Sequence, residues 1–198
     1  VESKTRDRVT EIVAGMTAGS GVDPASAEQL WPAVYDELRR LAQWQMGADA
    51  RAHTLQPTAL VHEAYLRLVD QSRVDFNGRT HFIAFASKVM RNLLIDHARR
   101  RASAKRGGGQ QRVTLVEGVA SGGGGELELD QLLSLDDALQ RLAEHDERQA
   151  RVVELRYFGG LKVDEVAEVL GVSKRSVEGY WTHARAWLLR ELSRGTER

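Results

Sequence analysis

The chain has 198 residues, with 28 Lys and Arg balanced by 28 Asp and Glu, and no cysteine. Disulfides, thiolate metal sites and cysteine nucleophiles are therefore excluded, and no apolar run approaches the roughly 18 residues of a membrane span. The opening VESKTRDRVTEIV lacks the apolar stretch and small-residue cleavage pattern of a secretory signal.

Strand-like alternation is nearly absent and 3.6-residue periods recur, so an all-α fold is expected. A first helix is expected from Arg6 to Met16, followed by a loop from Ala18 to Pro24. Between Ala27 and Met46, the residues Leu30, Trp31, Val34, Leu38 and Leu41 make one apolar stripe. Pro57 opens the next helix, where its missing N–H costs nothing, and Leu60, Val61, Ala64, Tyr65 and Leu68 recur along Thr58–Val69. A turn at Asn77-Gly78 leads to a helix from Thr80 to Ala104. Phe82, Phe85, Val89, Leu93 and Asp96 share one stripe of it before it becomes basic.

The zero net charge conceals this sorting. Residues 79–112 carry nine Lys and Arg against one acid, whereas residues 113–161 carry four against ten. A solvated helix face mixes signs; a block this basic is the footprint that nucleic acid attracts.

Glycine runs at Gly107–Gly109 and Ser121–Gly125 bracket a stretch with no helical period. Neither run has the Gly-Lys-Ser/Thr of a phosphate-binding loop, so residues 107–127 are expected to form a flexible linker. Two small helical domains would flank it, at 26–106 and 128–198, with residues 1–25 as an N-terminal extension.

Beyond the linker, Leu132, Leu135, Leu139 and Leu142 form a stripe. Asp146 is placed to cap a helix from Glu147 to Phe158, which Gly159-Gly160 ends. The run VDEVAEVLGVSKRSVEGYWTHARAWL then has the layout of a helix-turn-helix. Ala167 is small where the helices cross, Gly171 permits a left-handed turn, Val172 plugs the core and Ser173 caps the second helix. That helix presents Lys174, Arg175, Ser176, Glu178, Gly179, Thr182 and His183 on faces suited to a major groove. Trp181 and Trp187 are read as packing residues rather than base-stacking ones.

Six histidines are scattered, with no HExxH, no paired metal spacing and no nucleophile elbow. Asp96 and His97 are adjacent, so on a helix they point about 100° apart and form no dyad. No enzyme, cofactor or metal site is expected.

With both halves in view, the sequence resembles the bacterial sigma-70 family, specifically its extracytoplasmic-function (ECF) members, from about Glu28 to Leu192. Leu60-Val61-His62-Glu63-Ala64-Tyr65-Leu66-Arg67-Leu68 resembles the region 2.2 helix. Phe82-Ile83-Ala84-Phe85 resembles region 2.3, and Arg91-Asn92-Leu93-Leu94-Ile95-Asp96-His97-Ala98-Arg99-Arg100 resembles region 2.4. Leu135 to Leu192 looks like region 4.

The resemblance implies an initiation factor that binds core RNA polymerase through a helix carrying Leu60, Glu63, Tyr65, Leu66 and Arg67. Residues 26–106 would open double-stranded promoter DNA at −10 and hold the single-stranded non-template strand, and residues 128–198 would sit on −35. Lys88, Arg91, Arg99, Arg100, Arg101, Lys105 and Arg106 would neutralise phosphates. Phe76 and Asn77 would line a pocket for an unstacked base, although Phe76 equally fits a plug beneath the turn. Asn92 and Asp96 either read bases or bond neighbouring backbone and arginines.

Several positions depart from the family pattern. Ala59 and His62 stand where an acid and an amide are frequent, Phe85 replaces a common tryptophan, and Glu178 and Tyr180 occupy positions that are often basic. The resemblance also implies a cytoplasmic, nucleoid-associated protein without membrane insertion, and the sequence is expected to carry no further domain after Leu192. Collapse of one domain on the other, or a clasping anti-sigma factor, would hold it off promoters. The competing reading is an ordinary helix-turn-helix regulator with a sensing or dimerising N-terminal domain, which leaves the cationic helix unexplained.

Overall fold

The computed structural model describes residues 24–46, 55–70, 78–104 and 129–194. Among them are seven α-helices, one π-helical turn and no strand, so the all-α class holds. The expected helix Arg6–Met16, the segment 107–127, Phe76, Asn77, Lys105 and Arg106 lie outside the described residues.

The N-terminal half holds α1 (Pro24–Met46), α2 (Pro57–Asp70) and α3 (Gly78–Ala104). Both α1 and α2 begin on proline, whose fixed φ suits a first helical turn. Helix α1 also runs through the exposed Pro32. The bond lost there is outweighed by the packed stripe beyond it, because tertiary burial rather than local propensity holds most protein helices. That stripe is Val34, Leu38 and Leu41, extended by Ala42 and Met46, and α2 buries Leu60, Val61 and Ala64 against it.

Helix α3 differs from its expected single stripe. Phe82, Val89 and Leu93 are buried as anticipated, and so are Ile83, Met90, Arg91, Leu94 and Ile95. The helix is enclosed because α1 and α2 cover one side while the C-terminal half covers another. Asp96 is half exposed rather than inward and lies 3.8 Å from Arg67, in keeping with the alternative that it bonds a neighbouring arginine.

The C-terminal half comprises α4 (Leu129–His145), α5 (Glu147–Val153), a π-helical turn (Glu154–Phe158), α6 (Val163–Leu170) and α7 (Lys174–Arg194). Asp146 caps α5 by accepting the Gln149 backbone N–H at 3.0 Å. The helix does not stay α-helical to Phe158. The Gly159 N–H reaches back five residues to the Glu154 carbonyl at 3.2 Å, the wider bonding of a π turn. With this register Leu155, Tyr157 and Phe158 are all buried. A Cβ at Gly159 would lie 2.5 Å from the Leu155 carbonyl oxygen, so the turn closes only over glycine.

The two halves share one apolar core. Two side chains of α1 also reach the carbonyls that end the π turn. Trp44 donates its indole N–H to Tyr157 at 2.8 Å, and the Gln45 amide donates to Phe158 at 3.0 Å and to Ser87 at 3.1 Å.

Candidate nucleic-acid interface

Helix α6 starts where the Glu165 carboxylate accepts the Lys162 backbone N–H at 2.8 Å, the returning half of a capping box. It ends at Gly171, which adopts φ 63° and ψ 36°. The Val172 N–H then bonds the Ala167 carbonyl at 3.1 Å and the Gly171 N–H bonds Glu168 at 3.3 Å. These two bonds make a Schellman ending, which needs a left-handed residue at its centre. Two residues on, the Ser173 hydroxyl accepts the Ser176 N–H at 3.1 Å and caps α7. Glycine, plug and cap thus act at the positions the sequence assigned to them.

Helix α7 buries Val177, Ala184, Leu188 and Leu192, and half-buries Trp181 and Trp187. Its outer surface carries Lys174, Arg175, Glu178, Gly179, Thr182 and His183, all exposed, while Ser176 is half-buried. Lys174 lies 3.7 Å from Asp164, with both side chains mostly in solvent. The Thr182 hydroxyl donates to its own helix at Glu178 O, so its lone pairs rather than its proton face outward.

On α3 the exposed residues Lys88, Asn92, Asp96 and Arg100 recur every four positions and so lie along one face. Arg99 is 55% exposed, Arg101 is half-buried, and Arg100 bonds the Asp96 carbonyl at 3.2 Å. Arg91, grouped with these by the sequence, is in a different place. Its side chain is only 8% exposed, and it pairs with Asp136 at 2.6 Å and Glu154 at 2.5 Å. Its counterions were not anticipated; the acidic excess of residues 113–161 was the available signal.

Arg79 is likewise turned inward, with Nε 2.8 Å from Glu37 and Nη1 3.4 Å from Glu165. Burial works against its charge, yet the hydrogen bond and field of Glu37, joined by Glu165, hold its ionisation above the usual arginine range.

Along α2, Leu60 is fully buried and belongs to the core, whereas Leu66 is 67% exposed. Glu63 and Arg67 pair at 3.7 Å beside it, and Tyr65 is half-buried. Leu66 is a single leucine on the solvent side of a helix whose other face is core, which by itself is ordinary for a protein surface. Among the described residues no group of three or more His, Cys, Asp or Glu is arranged to hold a metal, and no helix is long and apolar enough to cross a membrane.

A capped helix-turn-helix and, elsewhere in the same chain, a helix that ends in arginines are features of a helical DNA-binding protein. The chain matches the family model described as ECF sigma factor over residues 6–194, and it belongs to that family. It is thus a sigma factor with a role in transcription initiation, in a family whose members act without catalysis. No curated protein and no solved structure matches the chain.

Proposed function

We propose that the chain docks on core RNA polymerase and directs initiation at a defined promoter class. Helix α7 would enter the major groove at −35 through Lys174, Arg175, Glu178, Gly179, Thr182 and His183. The outer face of α3, with Lys88, Asn92 and Arg100, and the end of that helix, with Arg99 and Arg101, would follow the backbone at −10, where Phe76 and Asn77 would receive an unstacked base. Leu66, Glu63, Tyr65 and Arg67 of α2 would meet the polymerase. Residues 26–106 and 128–198 would act as separate modules on either side of the linker at 107–127, in the cytoplasm and subject to an anti-sigma partner.

The observation that carries this reading is the joint presence of two exposed DNA-suited faces, on α3 and α7, in a chain of this family. Phosphate neutralisation supplies sequence-independent affinity, and groove contacts supply the choice of site. Run-off transcription with purified core polymerase and a randomised promoter library tests it. The expected result is transcripts from one promoter class, with both the −35 and the −10 blocks enriched. Transcription no different from that of polymerase alone would overturn the proposal.

A further inference from the structure

Trp44 is left 38% exposed although its indole N–H is fixed on the Tyr157 carbonyl. The ring lines a cleft of about 240 Å³ between α1, the start of α3 and the turn Gly159–Lys162. Leu41, Ile83 and Leu161, all buried, supply the apolar part of the wall. Gly160 passes beside the indole with φ 63°, and a Cβ there would come 3.3 Å from the ring. Any side chain at this position would crowd the indole, whereas glycine leaves the space beside it open. The charges of the lining are unevenly matched. Glu37, only 2% exposed, receives two bonds from Arg79 at 2.8 and 3.2 Å and an ion pair from Arg40. Glu165 accepts the Lys162 N–H and meets Arg79. Three cations, Arg40, Arg79 and Lys162, therefore share the cleft with two carboxylates. Lys162 is exposed and Arg40 is 48% exposed, so the surplus positive charge lies at the mouth.

We propose that this cleft binds a small aromatic carboxylate, with its ring laid against Trp44 and its acid group taken by Lys162 and Arg40. The proposal is independent of how the chain meets promoter or polymerase.

Size, shape and charge each narrow the ligand. Small-molecule sites combine an apolar or aromatic wall with a few placed polar groups, and those for drug-sized ligands hold about 300–1,000 Å³. A cleft slightly below that range suits a molecule of one or two rings. The fixed indole offers an aromatic surface on which a second ring packs offset or edge-on. Arg79 is spent on Glu37 and Glu165, which leaves Lys162 and Arg40 to make charge-assisted hydrogen bonds to an acceptor. A surplus of one positive charge matches a monoanion. A phosphate monoester carries roughly −1.5 to −2 at neutral pH, and its excess would face Glu37 and Glu165. Because α1 and α3 supply one side of the cleft and the turn before α6 the other, a bound acid contacts both halves of the chain. Ligand that binds only the folded chain raises its unfolding temperature by mass action.

Isothermal titration of the full chain with benzoate, salicylate and phenylacetate tests the site, with cyclohexanecarboxylate and phenyl phosphate as comparison ligands. At least one of the three aromatic acids should bind and raise the unfolding temperature. Lys162→Gln should weaken that acid about tenfold, the loss of one charge-assisted hydrogen bond. Trp44→Leu should weaken it about 2- to 10-fold, the worth of an aromatic pair. Binding of none of the three acids overturns the site, and binding that neither substitution changes overturns its location. Cyclohexanecarboxylate bound as tightly as benzoate, or phenyl phosphate bound more tightly, overturns the ligand class. Should Trp44→Leu lose its helical circular dichroism, Lys162→Gln, at an exposed position, decides alone. Neither DNA nor polymerase enters the measurement, so failure here is distinct from failure of run-off transcription.

Discussion

The Arg156 guanidinium lies 4.2 Å from the centroid of the Trp181 ring. This contact joins the π turn to α7 and occupies one face of the Trp181 ring. Burial depresses the ionisation of Arg156, against an opposing pull from Glu178, but an arginine remains charged throughout the working pH range. Arg156→Met keeps the apolar stem and removes the cation. It should cost about 0.5–2 kcal/mol, the range of a partly desolvated cation–π contact, measured as a lower urea midpoint with an unchanged slope.

Two glycines should respond differently to an added methyl group. At Gly171 nothing lies within 4 Å of a new Cβ, so only the left-handed backbone resists it, and Gly171→Ala should cost about 1–2 kcal/mol. At Gly159 the obstacle is a backbone carbonyl oxygen, which cannot rotate away as a side chain can. Gly159→Ala should therefore reach or pass the upper end of the roughly 1–3 kcal/mol that overpacking costs. Denaturant unfolding of the two variants side by side checks the order. Equal losses would mean that the π turn relaxes around the methyl group.

Local signals made most of this fold legible. The Asp146 cap, the Gly171 turn, the Ser173 cap and the buried set Val177, Ala184 and Leu188 all follow from residues within a few positions of one another. What escaped depends on contacts far apart in sequence. One stripe of α3 reads as core, yet Ile83, Met90 and Leu94 are buried too, because α1 and α2 cover one side of the helix and the C-terminal half another. For the same reason Arg91 reads as a surface cation when its partners, Asp136 and Glu154, are 45 and 63 residues distant. The π turn has no compositional mark at all; only the carbonyl geometry beneath Gly159 reveals it.

Helix α2 carries a fully buried and a largely exposed leucine within two turns. Leu60 has no exposed surface and Leu66 is two-thirds exposed. Leu60→Ala should destabilise the fold by about 2–5 kcal/mol through transfer and cavity costs. Leu66→Ala should change stability by no more than about 0.5 kcal/mol while weakening polymerase capture at least tenfold. Thermal unfolding paired with a pull-down on core polymerase distinguishes the two. If Leu66→Ala bound polymerase normally, α2 would not be the docking helix.

Helix α7 carries both signs of charge on its outer surface, and salt dependence tells their roles apart. Lys174 and Arg175 are exposed, and the Lys174–Asp164 pair is a surface contact worth at most about 1 kcal/mol, so neutralising both barely affects folding. If each contacts a phosphate, Lys174→Ala with Arg175→Ala should lower the slope of log affinity against log salt by about 1.8, at about 0.9 per phosphate. The loss should be equal on specific and scrambled duplexes, because phosphates carry no sequence. Glu178 should behave in the opposite way. A carboxylate in the major groove accepts from cytosine N4, a contact worth about 1–3 kcal/mol of base discrimination, so Glu178→Gln should leave the slope unchanged and relax preference at one position. A uniform rise in affinity across all duplexes would instead assign Glu178 to plain repulsion of the backbone.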